Sequence, residues 1–327
     1  MKKIIGLLFC ILLVLSGCAT KKDDTADSGT AAETKKLTIA YQYGLAYAPV
    51  AIVKEKNLLV DAYKNLTGND LEVEWVQMSS GADINNGIAT GEIAAGFMGV
   101  GPAVTGISKG FYKIFSNISG QQHGMMSNDE NIKSLADLVG SDKQIALVNV
   151  GSIQHIILAK ALMENGFDAH ALDANIVAMK HPDGMTALES GSVSCHLTSS
   201  PYIFYEHDNA ELHEISEIYN AWGLEKSFIV GVASEELFED KDLYNAFCDS
   251  IAQAIDLINN DVEEAAALTH EFDKNTLEVE IDYLQRGIYT TETNGLLELL
   301  TFMKNNGFCE TEISTYEELV YDNVKGN

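Results

Sequence analysis

Two short polar stretches, Ser79-Ser80-Gly81 and Gly151-Ser152, each stand where an apolar alternation gives way to a helical pattern. At such a junction the first backbone N–H groups of the helix lack intrahelical partners and carry the positive end of the helix dipole. They suit an anion such as a sulfonate, nitrate or carboxylate. The same serines suit helix capping, and the two roles are compatible. Other candidates for ligand contact follow predicted strands: Gln42, Tyr43 and Tyr47, then Val100 and Gly101, then Ile153, Asp183, Thr198 and Ser199, with Gln121 between the two halves. Trp222, in Ala221-Trp222-Gly223, suits either stacking on a ligand or packing, and aromatic faces suit heterocycles and ammonium groups. Arg286 is the sole arginine and lies outside all these stretches. Guanidinium forks are a common way to hold oxyanions, so a neutral or cationic heterocycle stands beside the anion as a ligand class.

Little else in the chain promises covalent chemistry. The eight histidines include His123, His155, His181 and His196 near predicted loops or strands, but no paired metal-ligand spacing joins them. No nucleophile elbow, phosphate loop or nucleophile–base pair is visible, so neither an enzyme nor a cofactor nor a metal is expected. Cys195, Cys248 and Cys309 fit no disulfide or metal framework and read as free thiols.

The elements that must position the polar stretches form a duplicated pattern. Leu37 to Tyr41 alternates like a strand, Ala46 to Asn57 is helical, Leu71 to Val76 is a strand, a helix runs from Asp83 to Gly91, and Ile93 to Met98 is a strand before the loop Gly99 to Pro102. About one hundred residues later the order recurs. Strand Gln144 to Val148, a helix to Asn165, strand Asn175 to Met179, a helix from His181 to Gly191 and strand Val193 to Leu197 precede the loop Thr198 to Pro201. Alternating strands and helices predict an α/β protein with two mostly parallel sheets flanked by helices, whose ligands sit outside the carboxyl ends of the strands. Tyr112 to Ile118 and Ser227 to Ala233 read as crossing strands between two lobes. From Ser234 the pattern is helical almost to the end, with Phe247, Ile251, Ile255 and Ile258 on one buried face.

The N-terminus carries Lys2 and Lys3, then an apolar run from Ile4 to Leu15, shorter than the roughly 20 residues a membrane helix needs. It reads as a signal peptide over 1–17, followed by a flexible tether over 18–35. The boundaries expected beyond it are 36–120 and 234–327 for the first lobe and 121–233 for the second. A net charge of −27 argues against nucleic acid and against docking to anionic lipid by basic patches.

Leu15-Ser16-Gly17-Cys18 resembles the lipobox of bacterial lipoproteins, which implies a lipid anchor on Cys18 at the extracellular face of the cell membrane. The remainder resembles solute-binding proteins of ABC importers in the nitrate/sulfonate/taurine family. The residues that carry this are Tyr43-Gly-Leu-Ala-Tyr-Ala-Pro49, Gly81-Ala-Asp83, Gly91-Glu-Ile-Ala-Ala95, Gly99-Val-Gly-Pro102, Ile132-Lys-Ser-Leu-Ala-Asp-Leu138 and Ala187-Leu-Glu-Ser-Gly191. The resemblance implies a two-lobed type II periplasmic-binding fold, monomeric, that closes over a small molecule and presents it to a permease and its ATPase. Binding proteins for a thiamine-pyrimidine precursor belong to the same branch, and a ligand sensor without transport is a further alternative.

Overall fold

The structure is a computed structural model that describes residues 34–327. The expected signal peptide, most of the expected tether and Cys18 lie outside the described residues. Strand β1 (Lys35–Tyr41) opens the chain and helices α1 (Ala48–Glu55) and α2 (Leu58–Thr67) follow. Strand β2 (Leu71–Gln77), helix α3 (Gly81–Ala89), strand β3 (Ala95–Gly99), helix α4 (Val100–Ser108) and strand β4 (Lys113–Ser119) complete the first run. The second run is β5 (His123–Ser127), α5 (Leu135–Leu138), β6 (Ile145–Leu147), α6 (Ile153–Glu164), β7 (Ile176–Ala178), α7 (His181–Glu189), β8 (Cys195–Ser199), α8 (Tyr202–His207) and β9 (His213–Glu214). Strand β10 (Ile229–Ala233) leads into α9 (Glu235–Glu239), α10 (Lys241–Asn260), α11 (Val262–Asp273), α12 (Leu277–Gln285) and α13 (Leu296–Asn305).

The strands form two sheets with matching order. The first runs β2-β1-β3-β10-β4 and the second β7-β6-β8-β5-β9. In each, three parallel strands are joined by one antiparallel strand that the chain supplies from the far side of a crossing, β10 against β3 and β5 against β8. The apolar runs expected to be crossings, Tyr112 to Ile118 and Ser227 to Ala233, largely form the paired strands β4 and β10 of the first sheet. The chain itself crosses at 120–122 and again at 215–228. Gly120 exchanges backbone hydrogen bonds with Ile288, and a Cβ there would lie 2.2 Å from the Leu224 carbonyl oxygen, so only glycine fits where the crossing segments meet.

Burial explains the main elements. Phe97 of β3, Phe115 of β4 and Phe247 of α10 pack edge-to-face or tilted with centroids 4.6 to 5.8 Å apart in the first sheet's core. Phe247, Ile251, Ile255 and Ile258 all lie on the buried face of α10. Two expectations differ from what is observed. Gly99 to Pro102 is a helix start rather than a loop, because the Val100 N–H is satisfied by the Phe228 carbonyl and proline is tolerated in a first turn that needs no further donor. The helical pattern stops at Asn305, and the terminal segment returns beside β4, where Ile114 donates to Leu319 and accepts from Tyr321, covering that sheet edge. Among the described residues no helix is long and apolar enough to cross a membrane.

Candidate binding cleft

The carboxyl ends of the parallel strands in both sheets open onto one cleft with about 470 Å³ of empty space including its mouth. From the first sheet side come Gln42, Tyr43, Ala46, Tyr47, Ser79, Gly81, Gly99 and Pro102, with Phe228 and Ile229 at the start of β10. Facing them are Val148, Ser152, Ile153, Gln154, Lys180, His181 and Ser199. The two sides approach closely. A Cβ on Gly99 would fall 2.8 Å from the Ile153 side chain, and one on Gly101 would fall 3.3 Å from the Gly151 carbonyl oxygen and the Ile153 nitrogen. Gly44, at φ 103°, comes equally near the Ser200 carbonyl oxygen.

Three helix starts shape the polar lining. At α3 the Ser80 hydroxyl accepts from the Asp83 N–H at 3.2 Å and donates to the Asp83 carboxylate at 2.8 Å, so its capacity is used in capping. The N–H groups of Gly81 and Ala82 have no acceptor among the described hydrogen bonds. Gly81 is required for a second reason, because a Cβ there would lie 2.5 Å from the Pro102 ring. At α6 the Ser152 hydroxyl caps the His155 N–H, the Ser152 N–H donates to Asn149, and the Gly151 N–H donates to His155 Nδ1 at 2.9 Å. The groups left over there are the N–H of Ile153 and of Gln154.

At α7 the cap position is Lys180, which uses no side-chain cap and leaves its ammonium 5.6 Å from the Tyr43 ring centroid across the cleft and 3.6 Å from Asp183. Lys180 is the single lysine or arginine among the described residues that line the cleft. Beside it, His181 faces Thr198 Oγ1 with Nδ1 at 2.8 Å and Gln154 Nε2 with Nε2 at 3.3 Å, and its ring stacks on Tyr202. Burial pushes His181 down to about 3, so the ring is neutral, donating to Thr198 and accepting from Gln154. Gln42 donates to the Tyr47 hydroxyl at 2.9 Å, and burial raises the Tyr47 phenol far above its ordinary range, keeping it protonated.

Of the residues singled out in the sequence, the cleft gathers Gln42, Tyr43, Tyr47, Ser79, Gly81, Ser152, Ile153 and Ser199. The others stand behind it. Ser80 caps α3, Val100 is fully buried with its N–H on Phe228, Gly101 and Gly151 pack against each other's helix starts, and Thr198 holds His181. Asp183 is exposed beside Lys180. Trp222 is buried and donates to the Ser227 carbonyl at 3.1 Å, which is the packing role. Gln121 is buried with both amide atoms lacking a partner, next to Gly287, and His123 behind Phe228 leaves Nε2 unpaired while burial lowers its pKa to about 4.

Lys180, Gln154 and Phe228 are lining residues that sequence reasoning passed over, and His181, weighed there only as a metal ligand, lines the cleft too. A signal for two of them was present. Asp83 and Asp183 have the same place in the duplicated pattern, and the register that aligns them sets Lys180 opposite Ser80 and His181 opposite Gly81.

Comparison with known proteins agrees with this architecture. A putative aliphatic sulfonates-binding protein of Bacillus subtilis is 28% identical over 212 residues, 63% of this chain and 59% of that protein, so the match spans less than two thirds of the relative's length. The alkanesulfonate-binding protein SsuA of Xanthomonas axonopodis pv. citri, solved bound to MOPS, superposes with a TM-score of 0.71 at 16% identity, covering 91% of this chain and all of that one. The periplasmic aliphatic sulphonate binding protein SsuA of Escherichia coli superposes with a TM-score of 0.65 at 17% identity over 89% and 93% of the two chains. The fold is thus that of the periplasmic binding proteins. The NMT1-like family model matches residues 30–269, most of the chain, and the protein belongs to that family.

Proposed function

We propose that this protein is an extracytoplasmic solute-binding component of an ABC importer that captures a small sulfonate-type anion between two lobes and hands it to the permease. One observation carries the ligand class: a lone lysine, Lys180, lines one cleft together with the starts of α3 and α6, where N–H groups have no acceptor among the described hydrogen bonds. A fixed positive charge converging with helix N-termini favours an oxyanion without any guanidinium. The sulfonate-binding relatives support the same class. The protonated Tyr47 phenol and neutral His181 add polar groups without adding charge. Capture requires no catalytic group, because a ligand touching both sides favours the closed arrangement by its differential affinity. The lobes proposed are 36–120 with 234–327, and 121–233, with β10 contributing to the first sheet from the end of the second segment. Anchoring through a lipid on Cys18 would hold this monomer near its permease and raise its effective concentration there.

The test is a thermal-shift and calorimetric panel of alkanesulfonates, taurine, nitrate and hydroxymethylpyrimidine. A true ligand at one hundred times its dissociation constant adds about 2.7 kcal/mol to stability. A sulfonate hit lost in Lys180→Gln supports the reading. A response to the pyrimidine alone would assign the heterocycle instead.

A further inference from the structure

His170, in the loop between α6 and β7, places both ring nitrogens against acceptors. Nδ1 is 2.8 Å from one oxygen of Asp173, and Nε2 is 2.7 Å from the carbonyl oxygen of Asn306. A neutral imidazole has one N–H and can satisfy only one of them, whereas the imidazolium satisfies both. The other Asp173 oxygen lies 2.9 Å from His155 Nε2, and His155 Nδ1 accepts the Gly151 N–H. His155 therefore has one donor and one acceptor role and is neutral in this network. The ring of Phe308 lies 4.7 Å from that of His170 and 5.2 Å from that of His155.

The network joins two parts of the molecule. His155, His170 and Asp173 belong to the elements around the second sheet, and Gly151 immediately precedes the cleft-lining start of α6. Asn306 and Phe308 follow α13, which packs on α4 beside the first sheet. We infer that His170 is a protonation-dependent clasp across the cleft, its imidazolium tying Asp173 to the Asn306 carbonyl and favouring the closed arrangement. The inference rests on the reading that the protein closes around a solute.

The groups around the ring agree on the sign. Asp168 and Asp173 face it from its own loop, and Asp168 also accepts the His170 N–H at 2.9 Å. From α6 the neutral His155 shares Asp173, while Lys160 is engaged by Glu164 and Glu298. From the C-terminal side the ring meets the Asn306 carbonyl and Phe308, and Lys304 of α13 donates to the Ile313 carbonyl at 2.8 Å. The Asn306 carbonyl first, and then Asp173, hold the His170 pKa above its ordinary value, whereas burial lowers that of His155. The closed state thus binds this proton more tightly than a state in which His170 has left Asn306. Closure is favoured at low pH and weakened as pH rises through the raised pKa.

The test uses ligand-free protein. Small-angle scattering across about pH 5.5 to 8.5, the range around histidine titration, is expected to show wild type compact at the acid end and expanding toward the alkaline end. His170→Gln is expected to lose that pH dependence, and His170→Arg to remain compact throughout. Nitrogen-edited NMR is expected to place the His170 midpoint above its ordinary value. A wild-type scattering profile retained in His170→Gln, or a midpoint at or below the ordinary value, overturns the clasp. The outcomes separate from those of the ligand panel, since no solute is needed to read the clasp and a solute hit does not depend on its titration.

Discussion

The two half-sites descend from matching stretches of chain yet are built from different chemistry. At α3 the cap is Ser80, closed on Asp83, and the cleft receives neutral N–H groups; at α7, in the same register, stand Lys180 and His181, and the cleft receives a charge and an aromatic ring. The support behind them differs in the same sense. Under α3, Asn85 donates to the Pro102 carbonyl at 2.9 Å and receives the Tyr112 hydroxyl, groups that hold their protonation state near neutral pH. Under α7, His196 is hydrogen-bonded to Glu206 in full burial. Even the packing glycine changes sides. Gly96 leaves room for Ile84 in the first half, whereas one hundred residues on Gly184 stands in the place of Ile84 and leaves room for the ring of His196, which stands in the place of Gly96. A duplicated scaffold thus supplies geometry twice, while a charged side chain lines the cleft on one side only.

The largest expected effect breaks that asymmetry directly. Lys180→Glu should abolish anion binding, and Lys180→Ser, which copies the first half-site, should weaken it by roughly tenfold to one hundredfold, the range for a hydrogen bond to a charged group. Calorimetry reads both, and undiminished affinity in Lys180→Ser would mean the charge has no role in recognition.

Next come the titrating supports. Burial raises Glu206 to about 9 and lowers His181 and His196 to about 3 and His123 to about 4. Glu206 is protonated in the fold, so its contribution is present below its ordinary pKa and is lost as pH rises toward about 9. The three histidines are neutral in the fold, so their contribution is present above their ordinary pKa and is lost as pH falls toward 3 to 4. Each pH unit between a group's folded and unfolded pKa is worth up to about 1.4 kcal/mol. Denaturant melts of Glu206→Gln should show the alkaline loss flattened and the acid loss retained. An alkaline limb identical to wild type would show that Glu206 is ionised in the fold.

Close approach of the two helix starts gives a smaller effect. Gly101→Val adds bulk toward the Gly151 carbonyl and Ile153 across the cleft and should weaken ligand binding about tenfold, near 1.4 kcal/mol. The chemical-denaturation midpoint checks that the folded state itself is little changed. Smallest of all, Ser80→Ala removes a cap and should cost about 1 kcal/mol of stability with ligand affinity nearly unchanged, because the hydroxyl is already spent on Asp83.

Much of the fold was legible because periodicity reports burial. The alternation of Leu37 to Tyr41 and the buried stripe of α10 each state which face meets a core. The C-terminal return beside β4 was not legible, since a segment that covers a sheet edge takes its hydrogen bonds from a distant strand and shows no period of its own. At the cleft, Ser79, Gly81 and Ser152 were found because caps and glycines have local signatures. Lys180 was not, because an isolated lysine before a proline-containing helix start looks the same whether it meets solvent or Tyr43. Trp222 misled for the converse reason: an indole between small residues suits a ligand as well as a core until its N–H is seen on Ser227.

By itself the sequence determined the α/β alternation, the duplication, the helix starts of α3, α6 and α7 and the scarcity of guanidinium, all of which can be read along the chain. Tertiary structure alone decided which side of the cleft carries the charge, that β10 pairs between β3 and β4, and that His170 reaches Asn306. Those depend on segments from one to two hundred residues apart meeting in space, and local pattern holds no record of such meetings.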